Sequence, residues 1–143
     1  KRYVYFKDYA DPTQVQLNPD KVKQAKQTSL MPDLPLDAHS VPLGLLFHSG
    51  KNIDDKYKDG AFVVRRGGVS TSKLTGYDVL FIPFIDGKPT GIIETFLSGF
   101  IASEDRGEIY GRPVGITEDN IGNILITDDV GGRLLIISRE KED

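Results

Sequence analysis

From His39 onward the chain alternates short apolar runs with turn residues. The runs are Leu43–Phe47, Ala61–Val64, Tyr77–Pro83, Ile92–Leu97, Val114–Thr117, Asn123–Thr127 and Arg133–Ser138. Between them stand Ser49-Gly50, Asp59-Gly60, Gly67-Gly68, Asp86-Gly87, the stretch from Asn120 to Gly122, and Gly131-Gly132. Runs of this length bounded by Gly, Asn and Asp predict β-strands joined by tight turns. No second helical period alternates with them, which disfavours a doubly wound fold and predicts an all-β architecture.

Residues 1–38 read differently. Tyr3-Val4-Tyr5-Phe6 is aromatic and suits a short strand. Asp20 to Gln27 follows Asn18-Pro19 and has helix-forming composition, so one or two helical turns are expected. Met31-Pro32 and Leu34-Pro35 keep the chain extended. Too few apolar residues are present for a separate core, so 1–38 is expected to be a loop-rich excursion resting on other structure.

An internal repeat organises the rest. Pro42-Leu43-Gly44 recurs as Pro113-Val114-Gly115. Each is followed by Gly and an apolar run, Gly60 then Ala61–Val64 and Gly122 then Ile124–Ile126. Each then reaches another Gly before a further run, Gly76 before Val79–Ile82 and Gly132 before Leu134–Ile137. A repeated unit of three or four strands over ~40–50 residues is the signature of β-propeller blades. Two similar hairpins of a β-sandwich are the competing architecture; repetition favours radial stacking. The expectation is two four-stranded blades, about 39–100 and 101–143, within one propeller domain. Propellers close with ~4–8 blades. Two alone leave open edges, so a further part of the chain, a partner, or copies of itself must complete the ring.

Composition narrows the function. The 143 residues are 38% hydrophobic and 27% charged, as in ordinary globular proteins. The net charge is −3 and the longest basic run is Arg65-Arg66, which argues against nucleic acid as a partner. The absence of cysteine excludes disulfides, thiolate metal sites and a Cys nucleophile. No apolar run approaches the ~20 residues of a membrane helix. No signal peptide is visible, and the sequence starts at Lys1 rather than Met, so an upstream segment is an open expectation. Phosphate-loop and G-x-S-x-G patterns are absent.

The motifs carry a resemblance. His39-Ser40-Val41-Pro42-Leu43-Gly44-Leu45 resembles the HSAPLGL element of pyrroloquinoline quinone (PQQ)-dependent sugar dehydrogenases of the sorbosone and pyranose dehydrogenase type, relatives of soluble quinoprotein glucose dehydrogenase. Tyr57-Lys58-Asp59-Gly60-Ala61-Phe62-Val63, Gly76-Tyr77-Asp78-Val79, Pro83-Phe84 with Asp86-Gly87-Lys88-Pro89-Thr90-Gly91, and Phe96-Leu97-Ser98-Gly99-Phe100 follow in the family's order. Gly111-Arg112-Pro113-Val114-Gly115 is a complete G-R-P-V-G, and Thr127-Asp128-Asp129 with Gly131-Gly132-Arg133 resembles the closing element. The likeness implies a six-bladed propeller that binds PQQ and calcium at the mouth of its channel. It implies oxidation of a sugar by hydride transfer from C1 to the quinone, and a periplasmic or extracellular setting. The present chain then covers about the last two blades.

By resemblance, three residues face the cofactor. Arg112 stands before an inner strand, where the family's arginine contacts PQQ; a surface or loop-bracing arginine is the plain alternative. His39 opens the matching strand of the other repeat, or is a turn histidine bonded to backbone. Arg66 begins Arg66-Gly67-Gly68-Val69-Ser70-Thr71, where the family shows H-G-S-W-N-R. The histidine, the tryptophan and the arginine of that motif are thus replaced by Arg66, Val69 and Thr71. The general-base histidine and most calcium ligands are expected on blades outside this chain, so no catalytic residue and no metal ligand is assigned. His48 at a strand end reads as a solvated loop residue. Asp128-Asp129 reads as a turn and cap pair, a brace for Arg112, or a cation site. Two functions compete: part of a PQQ sugar dehydrogenase that supplies one side of the quinone site, or a non-catalytic self-assembling propeller in which three copies close a six-bladed ring.

Overall fold

A computed structural model describes residues 19–28, 30, 32–68 and 73–139. The expected strand at Tyr3–Phe6 and the altered positions Val69 and Thr71 lie outside the described residues. The chain divides into two compact units, Lys1–Pro35 and Leu36–Asp143.

In the first unit the described element is helix α1, Pro19–Thr28. Proline suits the first turn, where its missing N–H has no intrahelical partner to lose. Asp20 adds a negative charge at the positive end of the helix dipole. At the other end the Thr28 hydroxyl donates to the Gln24 carbonyl at 3.0 Å.

The second unit is built of strands. β1 (Pro42–Phe47), β2 (Gly60–Arg65), β3 (Asp78–Ile85) and β5 (Glu94–Leu97) form an antiparallel four-stranded meander in that order. β4 (Lys88–Pro89) folds back on the end of β3 through Asp86-Gly87. Both turn residues have positive φ, 51° and 74°, the conformation that two-residue hairpins require. A small hairpin of β6 (Ile101–Ser103) and β7 (Glu108–Ile109) follows. β8 (Pro113–Glu118), β9 (Ile124–Asp128) and β10 (Arg133–Ile137) form a second antiparallel meander of three strands. The two meanders are propeller blades, and the expected all-β propeller architecture holds. The second blade shows three strands among the described residues.

The core lies between the blades. Phe62, Val64, Val79 and Phe81 from the first blade meet Ile124 and Ile126 from the second, all buried. Tyr57 and Phe96 extend this core with edge-on rings: Phe62 and Phe96 have centroids 4.6 Å apart, Tyr57 and Phe81 5.0 Å. Period-two alternation decides which side chains enter the seam. On β1, Gly44 and Leu46 turn inward while Leu43, Leu45 and Phe47 stay exposed. On β10, Leu135 and Ile137 turn inward while Leu134 and Ile136 stay exposed. Each blade thus covers one apolar face and leaves a different one open.

β1 and β8 are the neighbouring inner strands. At Gly44 an added Cβ would lie 3.1 Å from the Val114 carbonyl oxygen and 3.0 Å from an Ile116 methyl, so the glycine lets the strands approach. The repeated P-x-G therefore has a packing cause. Both strands begin at the same end of the seam, which fixes where the candidate site residues go.

Candidate functional site

At the end where β1 and β8 begin, β2 and β9 finish and β3 and β10 start. The register shows it: Pro42 pairs with Arg65, Arg65 with Asp78, Pro113 with Asp128, and Arg133 with Asp128. Four arginines and four aspartates gather here.

Two of the arginines make three side-chain hydrogen bonds each among the described residues. Arg65 is forked onto Asp78 by Nε and Nη2, at 2.7 and 2.6 Å, and donates from Nη1 to Asp37 at 2.8 Å. The two carboxylates raise its affinity for its proton; hydrogen bonding to Asp78 is the main cause. Arg133 is forked onto Asp128, at 3.1 and 2.6 Å, and reaches the Tyr110 carbonyl at 3.1 Å.

Asp128 is the organiser of its loop. Its side chain is fully buried and accepts from the backbone N–H groups of Arg112, Val130 and Gly131 as well as from Arg133. Burial alone would raise its pKa. The hydrogen bonds from Gly131, Arg112, Arg133 and Val130 outweigh that and lower it to about 2.

The other two arginines share one carboxylate. Arg66 donates from Nε to Asp129 Oδ2 at 3.0 Å, and Arg112 from Nε to Asp129 Oδ1 at 2.9 Å. Arg66 follows β2 on the first blade; Arg112 and Asp129 flank β8 and β9 on the second. The backbone fixes all three: Arg66 N–H donates to the Val41 carbonyl at 2.9 Å and Asp129 N–H to the Arg112 carbonyl at 3.1 Å. Bracing and turn chemistry thus divide between neighbours, Asp129 holding guanidiniums and Asp128 holding the turn.

His39 stands at the same end, exposed, in the turn before β1 with φ 63°. Its carbonyl oxygen would be 2.3 Å from a Cβ on Gly68, so the backbone there passes close against it. Ser40, next along, accepts the Gly67 N–H at 2.9 Å, which ties the His39 turn to the loop after Arg66. The structure therefore places His39, Arg66 and Arg112 at one end of the seam and joins the two arginines through Asp129.

The opposite end is closed. His48 is buried, 7% exposed, and not the solvated residue its position after Phe47 suggests. Its Nε2 contacts the Gly122 carbonyl at 2.9 Å and its Nδ1 accepts the Gly50 N–H at 3.0 Å. A carbonyl only accepts, so Nε2 carries a proton, and the Glu118 carboxylate lies 3.9 Å from the same nitrogen. Ser49 donates its N–H to Glu118 at 2.8 Å and its hydroxyl to the other carboxylate oxygen. Asn52 donates to Asn123 at 2.8 Å. A cavity of about 170 Å³ at this end is lined by Ile53, Tyr57, Phe96, Ile124 and Ile137, together with the polar Asn52, Asp54, Ser138 and Arg139.

The model of the TrAA12-like family matches residues 9–140. The chain belongs to the TrAA12-like family. Its members are related to PQQ-dependent oxidoreductases, as the resemblance implied. An uncharacterized protein of Borreliella burgdorferi is 34% identical over 122 residues, covering 83% of this chain and 31% of that protein. The iodide structure of the Trichoderma reesei carbohydrate-active enzyme family AA12 aligns with a TM-score of 0.68 at 20% identity, over 82% of this chain and 29% of that one. The holo form of the PQQ domain of pyranose dehydrogenase from Coprinopsis cinerea gives 0.65 at 21%, over 82% and 31%. The chain spans less than a third of the length of each of these proteins. At such identity the solved structures establish the fold alone. No helix among the described residues is long and apolar enough to cross a membrane.

Proposed function

We propose that these two blades supply the arginine wall of a PQQ site, in a propeller completed by blades beyond this chain. The observation that carries the reading is the pair of guanidiniums, one from each blade, held on a single carboxylate at the mouth. Both use Nε for Asp129, and their Nη groups take no further hydrogen bond among the described residues. Around Asp129 two cations face one anion, within an end where four arginines balance four aspartates. PQQ carries three carboxylates, and guanidinium forks bind carboxylates bidentately. The donor set fits that anionic rim.

When bound, PQQ supplies the quinone that accepts a hydride from a sugar. The residues of this chain bind and orient it: Arg112 and Arg66 hold carboxylates, and His39 borders the same mouth. The general base belongs to another blade. Calcium does not fit these residues, because no three His, Cys, Asp or Glu cluster as a metal site among the described ones. A periplasmic or extracellular location belongs to the same reading.

The test is titration of the full chain with PQQ, followed by dye-linked aldose oxidation after joining the remaining blades. Arg112→Ala is expected to weaken PQQ binding at least tenfold. Equal affinity in wild type and variant rejects the proposal.

A second reading rests on the two open faces. The seam is heterologous, so the face bearing Leu134 and Ile136 on one copy matches in kind the face bearing Leu43, Leu45 and Phe47 on the next. Three copies then close six blades. A solution mass of 15.8 kDa excludes this ring, and three times that mass supports it.

A further inference from the structure

We propose that Asp129 is the positioning residue of the mouth: one carboxylate sets the spacing and direction of two guanidiniums borne by different blades, and so restricts the site to rigid polycarboxylates. The ligand class rests on the reading above; the positioning does not.

The arginines at this end sort by their partners. Arg65 makes three side-chain hydrogen bonds to two carboxylates, and Arg133 makes three to a carboxylate and a carbonyl. Among the described residues, Arg66 and Arg112 each make one, from the same atom, to opposite oxygens of Asp129. That geometry leaves the outer edge of each guanidinium available in the same neighbourhood. Like charges this close repel, and the shared carboxylate is what holds them together. Asp129 is itself anchored, by its N–H on the Arg112 carbonyl, to the second blade. It therefore reaches across the seam from a fixed base and draws Arg66 of the first blade into place.

Two forks at a fixed separation reward a ligand whose carboxylates are fixed too. A flexible polyanion must give up internal freedom to match them, whereas a planar one does not. Without Asp129 the forks separate, and each binds whichever carboxylate arrives. The site then gains net positive charge and loses discrimination. Asp129 thus acts through the arginines and contributes shape selectivity rather than attraction.

The experiment uses the full chain with Asp129→Asn and Asp129→Glu. Arginine Nε–H signals in NMR report the hydrogen bonds with no ligand present. Both Arg66 and Arg112 signals are expected to lose protection from exchange in Asp129→Asn, while Arg65 and Arg133 keep theirs. Asp129→Glu, which retains the charge on a longer arm, is expected to keep part of that protection. PQQ and citrate, both tricarboxylates, then measure selectivity. Their affinity ratio is expected to fall at least tenfold in Asp129→Asn, with a steeper salt dependence of citrate binding. Unchanged Nε–H protection overturns the positioning role. Loosened arginines with an unchanged ratio overturn the selectivity. If wild type binds neither ligand, the proposed PQQ function falls, and the Nε–H result decides the positioning role by itself.

Discussion

The two ends of the blade seam are made from opposite materials. At the far end His48, an asparagine pair and Ser49, which donates to the Glu118 carboxylate, tie the loop after β1 to β8 and the β8–β9 turn, and His48 is buried. At the mouth end charged groups meet across the same seam, half-exposed and linked by one bond each to Asp129. The His48 bond is buried, while those of Ser49 and Asn52 lie at the surface; a buried hydrogen bond is costly to leave unmade and so fastens the loop. Partly exposed ion pairs of this kind contribute little to stability. The contrast sets a far end tied by a buried histidine against an end where two partly exposed arginines share one carboxylate.

Three measurements test this contrast, in order of size. The largest concerns Gly122, with φ 95° and an added Cβ only 2.4 Å from the Lys51 carbonyl oxygen. Gly122→Ala sets a side chain against backbone in a conformation it rarely adopts, and is expected to lose about 2 kcal/mol or more in urea unfolding. A neutral result would mean the far end does not fasten the seam.

Acid comes second. Asp128 has a folded pKa of about 2 against an ordinary 3.8. Its folded value is depressed, so its contribution is complete above the unfolded value and is lost as pH falls toward 2. That contribution is on the order of 2 kcal/mol. Asp128→Asn should flatten this part of the stability profile and lower stability at neutral pH. An unchanged slope would show that the loop is organised by other groups.

The smallest effect belongs to the mouth pair. Arg66→Ala removes a partly exposed ion pair and is expected to change unfolding stability by no more than about 0.5 kcal/mol. A cost as large as that of Gly122→Ala would erase the difference between the two ends.

The strands were legible because alternation and turn residues are local signals. Pro42–Phe47 and Ile124–Asp128 match the apolar runs to within a residue. The helix over Pro19–Thr28 follows its proline and aspartate. The hairpin of β6 and β7 was not visible, since two or three residues with glutamate and serine among them carry no period. Arg112 was found through G-R-P. Its pairing with Arg66 was not, because that depends on how one blade sits on the other. Distance in sequence also explains His48. Its neighbours Ser49, Gly50 and Lys51 look solvated, and the group that covers it, Gly122, lies 74 positions away.

The shared carboxylate of Asp129 ties ligand capture to blade docking. A misdocked pair of blades would present two separate arginines, so an anion that needs both is retained only by the docked arrangement. By mass action such a ligand would in turn favour docking, by RT ln(1 + [L]/Kd). Docking of the two blades and capture of such an anion would then be one coupled equilibrium.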